Sequence, residues 1–389
     1  MALRWWILAL LFFVRMAMSF QFQAVGALSP AFQQAFAVNI ADIGLLIGLY
    51  FTPGLFLAIP GGALGRRFGD KQMVLVGLAL MTIGGALMAV SEVWTGQVVG
   101  RLAAGLGGVL LNVLMTKMVA DWFEGNEISF SMAVFVNSWP IGIAIALIVL
   151  PIVADFGGLS TALILVASLT TTGFVALTFF YRSPRSTKKG PAQSNDRISG
   201  EIFAGVVAAG TIWGLYNGAL GIVFSFGPEL FTTRGMSLPV AGSMTSVILW
   251  LLAIVGSFAG FLVDWTGRRF LILMVGNLGF ACFVFIGSFT DQVFLNVIAM
   301  GLLSGVGVGA MMSLPALILS PANRAIGMGI FFTLHYFCSM IGPIIAGWLA
   351  KQTGDIATTY QFATFLLIGS VMVVPIYRWY SLRVRPLTA

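Results

Sequence analysis

Charge is what this sequence has least of. Only 8% of its 389 residues are Asp, Glu, Lys or Arg, against about a quarter in an ordinary soluble chain. So few charges cannot cover a water-facing surface, which excludes a soluble globular protein. It also excludes a disordered chain, whose composition must be polar and charged. Cysteine is almost absent. Cys282 and Cys338 each lie in a long apolar run and read as small buried hydrophobes, leaving no disulfide framework and no thiolate metal site. Histidine is represented once, by His335, and the thirteen carboxylates form no cluster with ligand or nucleophile spacing. Nothing here supports a metal centre, a catalytic dyad or a bound cofactor.

What is present is apolar: 59% of the residues are hydrophobic and the mean hydropathy is +1.00. A bilayer-spanning helix needs about 20 mostly apolar residues. Ten charge-free stretches of at least that length read as spans: 43–65, 72–91, 128–154, 156–181, 202–228, 235–263, 270–290, 292–323, 325–350 and 356–377. Two further apolar segments are interrupted, 5–27 by Arg15 and 95–120 by Arg101 and Lys117. The expectation is an all-α membrane protein of twelve spans. The segments are too long for barrel strands of about ten alternating residues. Arg15 and the eleven later spans argue that the first segment is a retained helix and not a signal peptide.

Placing the N-terminus in the cytoplasm and alternating sides puts fifteen of the twenty basic residues on the cytoplasmic side and two, Arg234 and Lys351, outside. This is the positive-inside asymmetry. The net charge of +7 is therefore a topological signal, and no nucleic-acid partner is needed to explain it. Both termini are expected in the cytoplasm, with the bilayer as the main partner and the chain a monomer.

One long polar segment, rich in Ser, Lys, Pro and Gly, separates spans six and seven. It reads as a linker, 182–200, between an N-terminal six-helix bundle, 1–181, and a C-terminal one, 201–389. The halves repeat. Gly62–Lys71 follows span two and Gly260–Arg269 follows span eight, with Gly69 and Gly267 198 residues apart. Gly105 of span four and Gly305 of span ten are 200 apart. Trp139-Pro140-Ile141-Gly142 of span five loosely parallels Ile341-Gly342-Pro343 of span eleven. Parallel six-span repeats suit a rocking carrier with its site between the halves.

These residues resemble the major facilitator superfamily over the whole chain. The most specific resemblance is the loop that the family writes G-x-L-x-D-R-x-G-R-[RK]. Gly260, Leu262, Asp264, Gly267, Arg268 and Arg269 match it, and Trp265 departs from it. In the first copy Gly62, Leu64, Arg67, Gly69 and Lys71 match, but Arg66 occupies the Asp position and Asp70 a basic one. The resemblance implies a fold of two pseudo-symmetric six-helix bundles and a cytoplasmic latch. In that latch Asp264 would face the start of span five near residues 126–129, while Arg268 and Arg269 would bind Asp121, Glu124 or Glu127. A displaced Asp70 would serve the first copy, and Arg101 would be a structural or coupling residue. Asp121-Trp122-Phe123, Gly327-Met328-Gly329 and His335-Tyr336 are similar to bacterial cyanate-permease-like and monocarboxylate or organic-anion members.

An ionisable residue inside the bilayer is a functional candidate by default. Arg15 lies near the middle of span one, and no carboxylate lies at its depth. It reads as a receptor for a small anion, its planar fork matching a carboxylate or nitrate-like group, or alternatively as a residue paired with backbone carbonyls or snorkelling. Ser19 and Phe22 share its helical face. Tyr50, Asn112, Asn137, Trp139, Tyr216, Asn217, Trp250, His335 and Tyr336 are the other candidates for the site, each also readable as an interhelical contact. His335 is a proton carrier or a packed core histidine. The expected function is uptake of a small anionic solute by alternating access, through proton symport or anion exchange. Export of drugs or metabolites, and a non-transporting sensor or membrane enzyme, are the alternatives.

Overall fold

The computed structural model describes residues 2–58, 60–123, 127–184, 199–320 and 323–384, and these are almost entirely α-helical. In hydrocarbon every backbone polar group must be satisfied inside its own segment, and the helix is the simplest way to do so. Eleven helices are long and apolar enough to cross a bilayer. One of them, Ile128–Phe180, runs for 53 residues, about 80 Å at 1.5 Å per residue, or more than twice the hydrocarbon thickness. Its backbone leaves the helical region at Gly158, with φ at 77°. A left-handed conformation of this kind is open to glycine at little steric penalty. The run is therefore spans five and six, and the total is twelve. The charge pattern marks this break at Asp155. It falls three residues later because Gly158 can make the turn.

The other spans are one, Ala2–Ala27; two, Ile40–Leu49 with a short continuation Gly54–Leu57; three, Asp70–Val90; four, Trp94–Trp122; seven, Gly200–Thr232; eight, Leu238–Thr266; nine, Arg269–Gly287; ten, Val293–Val306 and Val308–Ile318; eleven, Arg324–Thr353; and twelve, Ala357–Met372 and Val374–Val384. Span two is broken where the sequence pattern reads as continuous. Between Tyr50 and Pro53 the helix gives way to turns, because Pro53 has no N–H to donate.

Between the two sets of helices, span two packs on span eleven, span five on span eight, and span one on span seven. The repeat relates two to eight and five to eleven, so the first two of these interfaces are copies of each other. At the end away from the basic loops the sets are sealed together. Gln23 donates to the Phe224 carbonyl at 3.1 Å, and Ser29 and Gln33 both donate to the Glu229 carboxylate. Gly44 meets span eleven so closely that an added Cβ would lie 2.3 Å from the Pro343 carbonyl oxygen. Towards the basic end the last hydrogen bond across the interface is Asn137 Nδ2 to Ser257 Oγ, at 2.8 Å. Among the described residues no hydrogen bond or ion pair joins the sets beyond it. Among the described residues the hydrogen bonds between the sets are thus gathered at the end away from the basic loops and at mid-depth.

The N-terminal set is fastened at its own basic end. Lys71 Nζ donates to the carbonyls of Thr178 and Tyr181, at 2.9 and 3.0 Å, capping the end of span six. Most of the proposed linker, 185–198, lies outside the described residues. Cys338 is buried as expected, but Cys282 is exposed on the outer face of its helix.

Candidate functional site

Arg15 sits half-buried at the centre of the N-terminal helices. Nη1 donates to the Phe135 carbonyl and Nη2 to Asn112 Oδ1, both at 3.1 Å, and the guanidinium carbon lies 4.7 Å from the Phe135 ring centre. Nε is buried without a hydrogen-bond partner. Among the described residues no carboxylate forms an ion pair with Arg15. The four ion-pair contacts there are Arg4–Glu127, Lys117–Asp70, Lys117–Asp121 and Arg383–Glu201. The charge is held by one backbone carbonyl, one neutral amide and a ring face.

Asn112 carries the connection onward, since its Nδ2 donates to the Tyr336 hydroxyl at 3.1 Å. Around this chain is a wall of aromatic rings. Phe22 stacks on Trp139 at 5.5 Å and touches Tyr50 and Phe51 at 5.1 and 4.9 Å. Phe51 then reaches across to His335 and Tyr336 at 6.3 and 6.2 Å. His335 contacts Trp213, Phe332 and Tyr336, and its Nδ1 lies 3.5 Å from Ser339 Oγ one turn along the same helix. The break in span two falls within this wall: Tyr50, Phe51 and Thr52 lie in the turns, and the Tyr50 and Phe51 rings are buried.

The structure thus brings Arg15, Phe22, Tyr50, Asn112, Trp139, His335 and Tyr336 together. The other candidates are engaged elsewhere. Ser19 is fully buried, donating to the Met16 carbonyl at 3.0 Å and, more weakly, to the Ser138 carbonyl at 3.4 Å. It is a packing contact between spans one and five. Tyr216 is buried and donates to the Ser304 carbonyl at 2.7 Å, tying span seven to span ten. Asn217 donates to Trp213 of its own helix. Asn137 is the last polar contact across the halves, described above. Trp250 is exposed on span eight and makes no ring contact with the cluster.

Arg101 is a clamp. It is 1% exposed, and its three nitrogens donate to the carbonyls of Leu46, Gln21 and Phe22 at 3.0, 3.3 and 2.8 Å. Its guanidinium also lies over the rings of Phe22 and Tyr50. One charged side chain of span four thereby holds spans one and two behind the aromatic wall.

The ion pairs expected of the latch are not formed among the described residues. Asp264 and Arg268 are exposed and, with Arg269, form no ion pair among the described residues. Their expected carboxylate partners are taken: Glu127 by Arg4 and Asp121 by Lys117. Glu124 and Asn126 lie outside the described residues. Asp70 pairs with Lys117 within its own half.

Sequence reasoning missed Phe51, Phe135, Trp213 and Glu229. The first three are aromatic neighbours of chosen residues, at i+1 of Tyr50, i−4 of Trp139 and i−3 of Tyr216. A search for polar groups alone passes over them. Glu229 sits at the edge of a charge-free run and reads as a loop carboxylate.

The sequence profile of the Major Facilitator Superfamily matches residues 11–229 and again 202–388. The chain belongs to this superfamily. It is a multi-pass membrane transporter. It is similar to the inner membrane transport protein YajR of Escherichia coli strain K12, 26% identical over 87% of this chain and 76% of that protein. It is also similar to the 3-(3-hydroxy-phenyl)propionate transporter of the same strain, 24% identical over 94% of this chain and 92% of that one. Among solved structures, a bacterial homologue of the human lysosomal transporter Spinster, in an inward-facing and occupied conformation, superposes with a TM-score of 0.77. That match has 13% identity and covers 99% of this chain and 97% of the other.

Proposed function

We propose that this transporter carries a small anionic solute, a monocarboxylate or a nitrate- or cyanate-like ion, by alternating access. The observation that carries the reading is Arg15: a half-buried guanidinium with no carboxylate partner among the described residues and one buried N–H unmatched. A charge held only by neutral acceptors is stabilised further by an anion, and Asn112 and Tyr336 offer it polar neighbours across the two halves. The aromatic wall of Phe22, Tyr50, Phe51 and Trp139 suits a solute with a flat or apolar body. An organic acid carried by a relative, named in its title as 3-(3-hydroxy-phenyl)propionate, is of this chemical kind. A single cation fits a monoanion better than a polyanion.

In this reading the two bundles are 1–181 and 201–389, joined by 182–200. The basic end faces the cytoplasm of a cell whose inner membrane holds the protein, and both termini lie there. Cross-half hydrogen bonds gathered away from the basic end among the described residues favour an inward-facing state, and the Asp264, Arg268 and Arg269 latch belongs to the opposite one. Transport is uptake, driven by proton symport through His335 or by exchange for an internal anion.

The test is flux into proteoliposomes of labelled aromatic and aliphatic monocarboxylates, nitrate, cyanate and organic cations, with Arg15→Gln alongside. Hydrogen bonds to a charged group contribute about 1.5–3 kcal/mol, so loss of the guanidinium should weaken anion binding roughly 10- to 100-fold. Transport of neutral or cationic compounds, unchanged in Arg15→Gln, would instead establish the exporter reading.

A further inference from the structure

At the basic end of the C-terminal helices, on the face where spans nine and twelve meet, is a pocket of about 550 Å³ lined by Asp264, Arg268, Arg269, Phe270 and Arg378, among others. Three guanidiniums and one carboxylate leave it with two excess positive charges. None of these groups forms an ion pair among the described residues, and the Arg269 Nε is buried without a hydrogen-bond partner. Arg378 is anchored at 5.8 Å from the Phe270 ring, which holds its charge over the pocket.

The surroundings identify what fills it. Trp265 and Trp379, next in sequence to Asp264 and Arg378 of the pocket, are exposed, and exposed tryptophans at span ends mark the depth of the lipid headgroups. Leu271 lines the pocket, and exposed apolar residues continue from it along span nine at Val275 and Leu278, one helical turn apart; on span twelve, which packs against span nine, Met372 and Ile376 are exposed too. A basic recess at headgroup depth with exposed apolar helix surface below it matches a molecule with a phosphate at one end and acyl chains at the other. Basic pockets between spans on this side of a membrane protein are headgroup sites. We propose that this pocket binds the phosphate of an anionic phospholipid, with Arg268, Arg269 and Arg378 as its ligands and the exposed apolar surface of spans nine and twelve as the acyl-chain track. A free phosphate shares the headgroup chemistry but not the apolar contact.

The experiment is native mass spectrometry of the full-length detergent-solubilised protein titrated with phosphatidylglycerol, with phosphatidylcholine, and with inorganic phosphate as competitor. The variants are Arg378→Gln, Arg378→Lys, the double variant Arg268→Gln/Arg378→Gln, and Arg182→Gln as an exposed arginine away from the pocket. Each basic group near a headgroup contributes about fivefold in affinity. Phosphatidylglycerol adducts should fall by about that factor in Arg378→Gln and by its square in the double variant. They should persist in Arg378→Lys and Arg182→Gln, and exceed phosphatidylcholine adducts throughout. Lipid retention that is equal in all variants, or equal for both lipids, overturns the proposal. So does inorganic phosphate that displaces the lipid at equimolar concentration, because the acyl track would then contribute nothing. The Lys variant and size-exclusion elution separate a lost site from a lost fold.

Discussion

Tyr336 lies one amide away from Arg15: Asn112 accepts from the guanidinium and donates to the Tyr336 hydroxyl, both at 3.1 Å. Arg15 and Asn112 belong to one half of the carrier and Tyr336 to the other. An anion that takes up the guanidinium competes with the Asn112 oxygen for its N–H groups and so acts on a bond between the halves.

Asn112→Ala and Tyr336→Phe are therefore expected to be coupled. Groups in one hydrogen-bond network show interaction energies of about 0.5–3 kcal/mol. A double-mutant cycle on solute affinity, measured by titration calorimetry, should return a value in that range. Additive effects would mean that the link in the structure carries no energy.

Arg101→Met should lower stability far more than solute affinity. It removes a buried cation and leaves three carbonyls without their donor, each orphaned group costing about 1–3 kcal/mol. The apparent melting temperature in detergent should drop well below that of Arg15→Gln. A variant that melts like the wild type would show that water replaces the guanidinium.

The seal at the far end should open when its contacts are removed. Gly44→Val places atoms where the Pro343 carbonyl now lies, and Glu229→Leu takes the acceptor from Ser29 and Gln33. Both should raise the labelling of Ser225→Cys, a near-isosteric change at a buried residue that meets Gly26 across the seal, by a membrane-impermeant thiol reagent applied to that face. Unchanged labelling in both would mean that the seal rests on the remaining packing.

His335→Gln separates the two coupling modes. If the imidazole carries the proton, the variant loses accumulation driven by a pH gradient but still exchanges solute for solute at equal pH. If both activities survive, His335 is only part of the aromatic wall that it shares with Trp213 and Phe332.

The gross architecture was legible because the bilayer imposes simple rules. Charge-free runs mark spans, and an ionisable exception such as Arg15 marks a place to look. Depth along a helix is readable from sequence, but direction around it and the partner on the next helix are not. Ser19 and Phe22 share a face with Arg15, yet Ser19 is shut against span five while Phe22 joins the ring cluster. Arg101 and Arg15 look alike as charges within spans. Only the three carbonyls at Arg101 distinguish a tie between helices from a site with an unmatched N–H. The turn at Tyr50–Pro53 was hidden because proline is tolerated inside membrane helices, so Pro53 alone does not announce a break while Pro140 and Pro343 leave their helices continuous.

The lysine at the foot of span three gives the first half its own fastening. Lys71 holds the carbonyls of Thr178 and Tyr181, so the last turn of span six is already tied down before residue 182. The covalent join that follows does nothing for that turn. The two halves should therefore survive being made as separate polypeptides, cut between residues 185 and 198, and should find each other in the membrane through the span two–eleven, five–eight and one–seven surfaces.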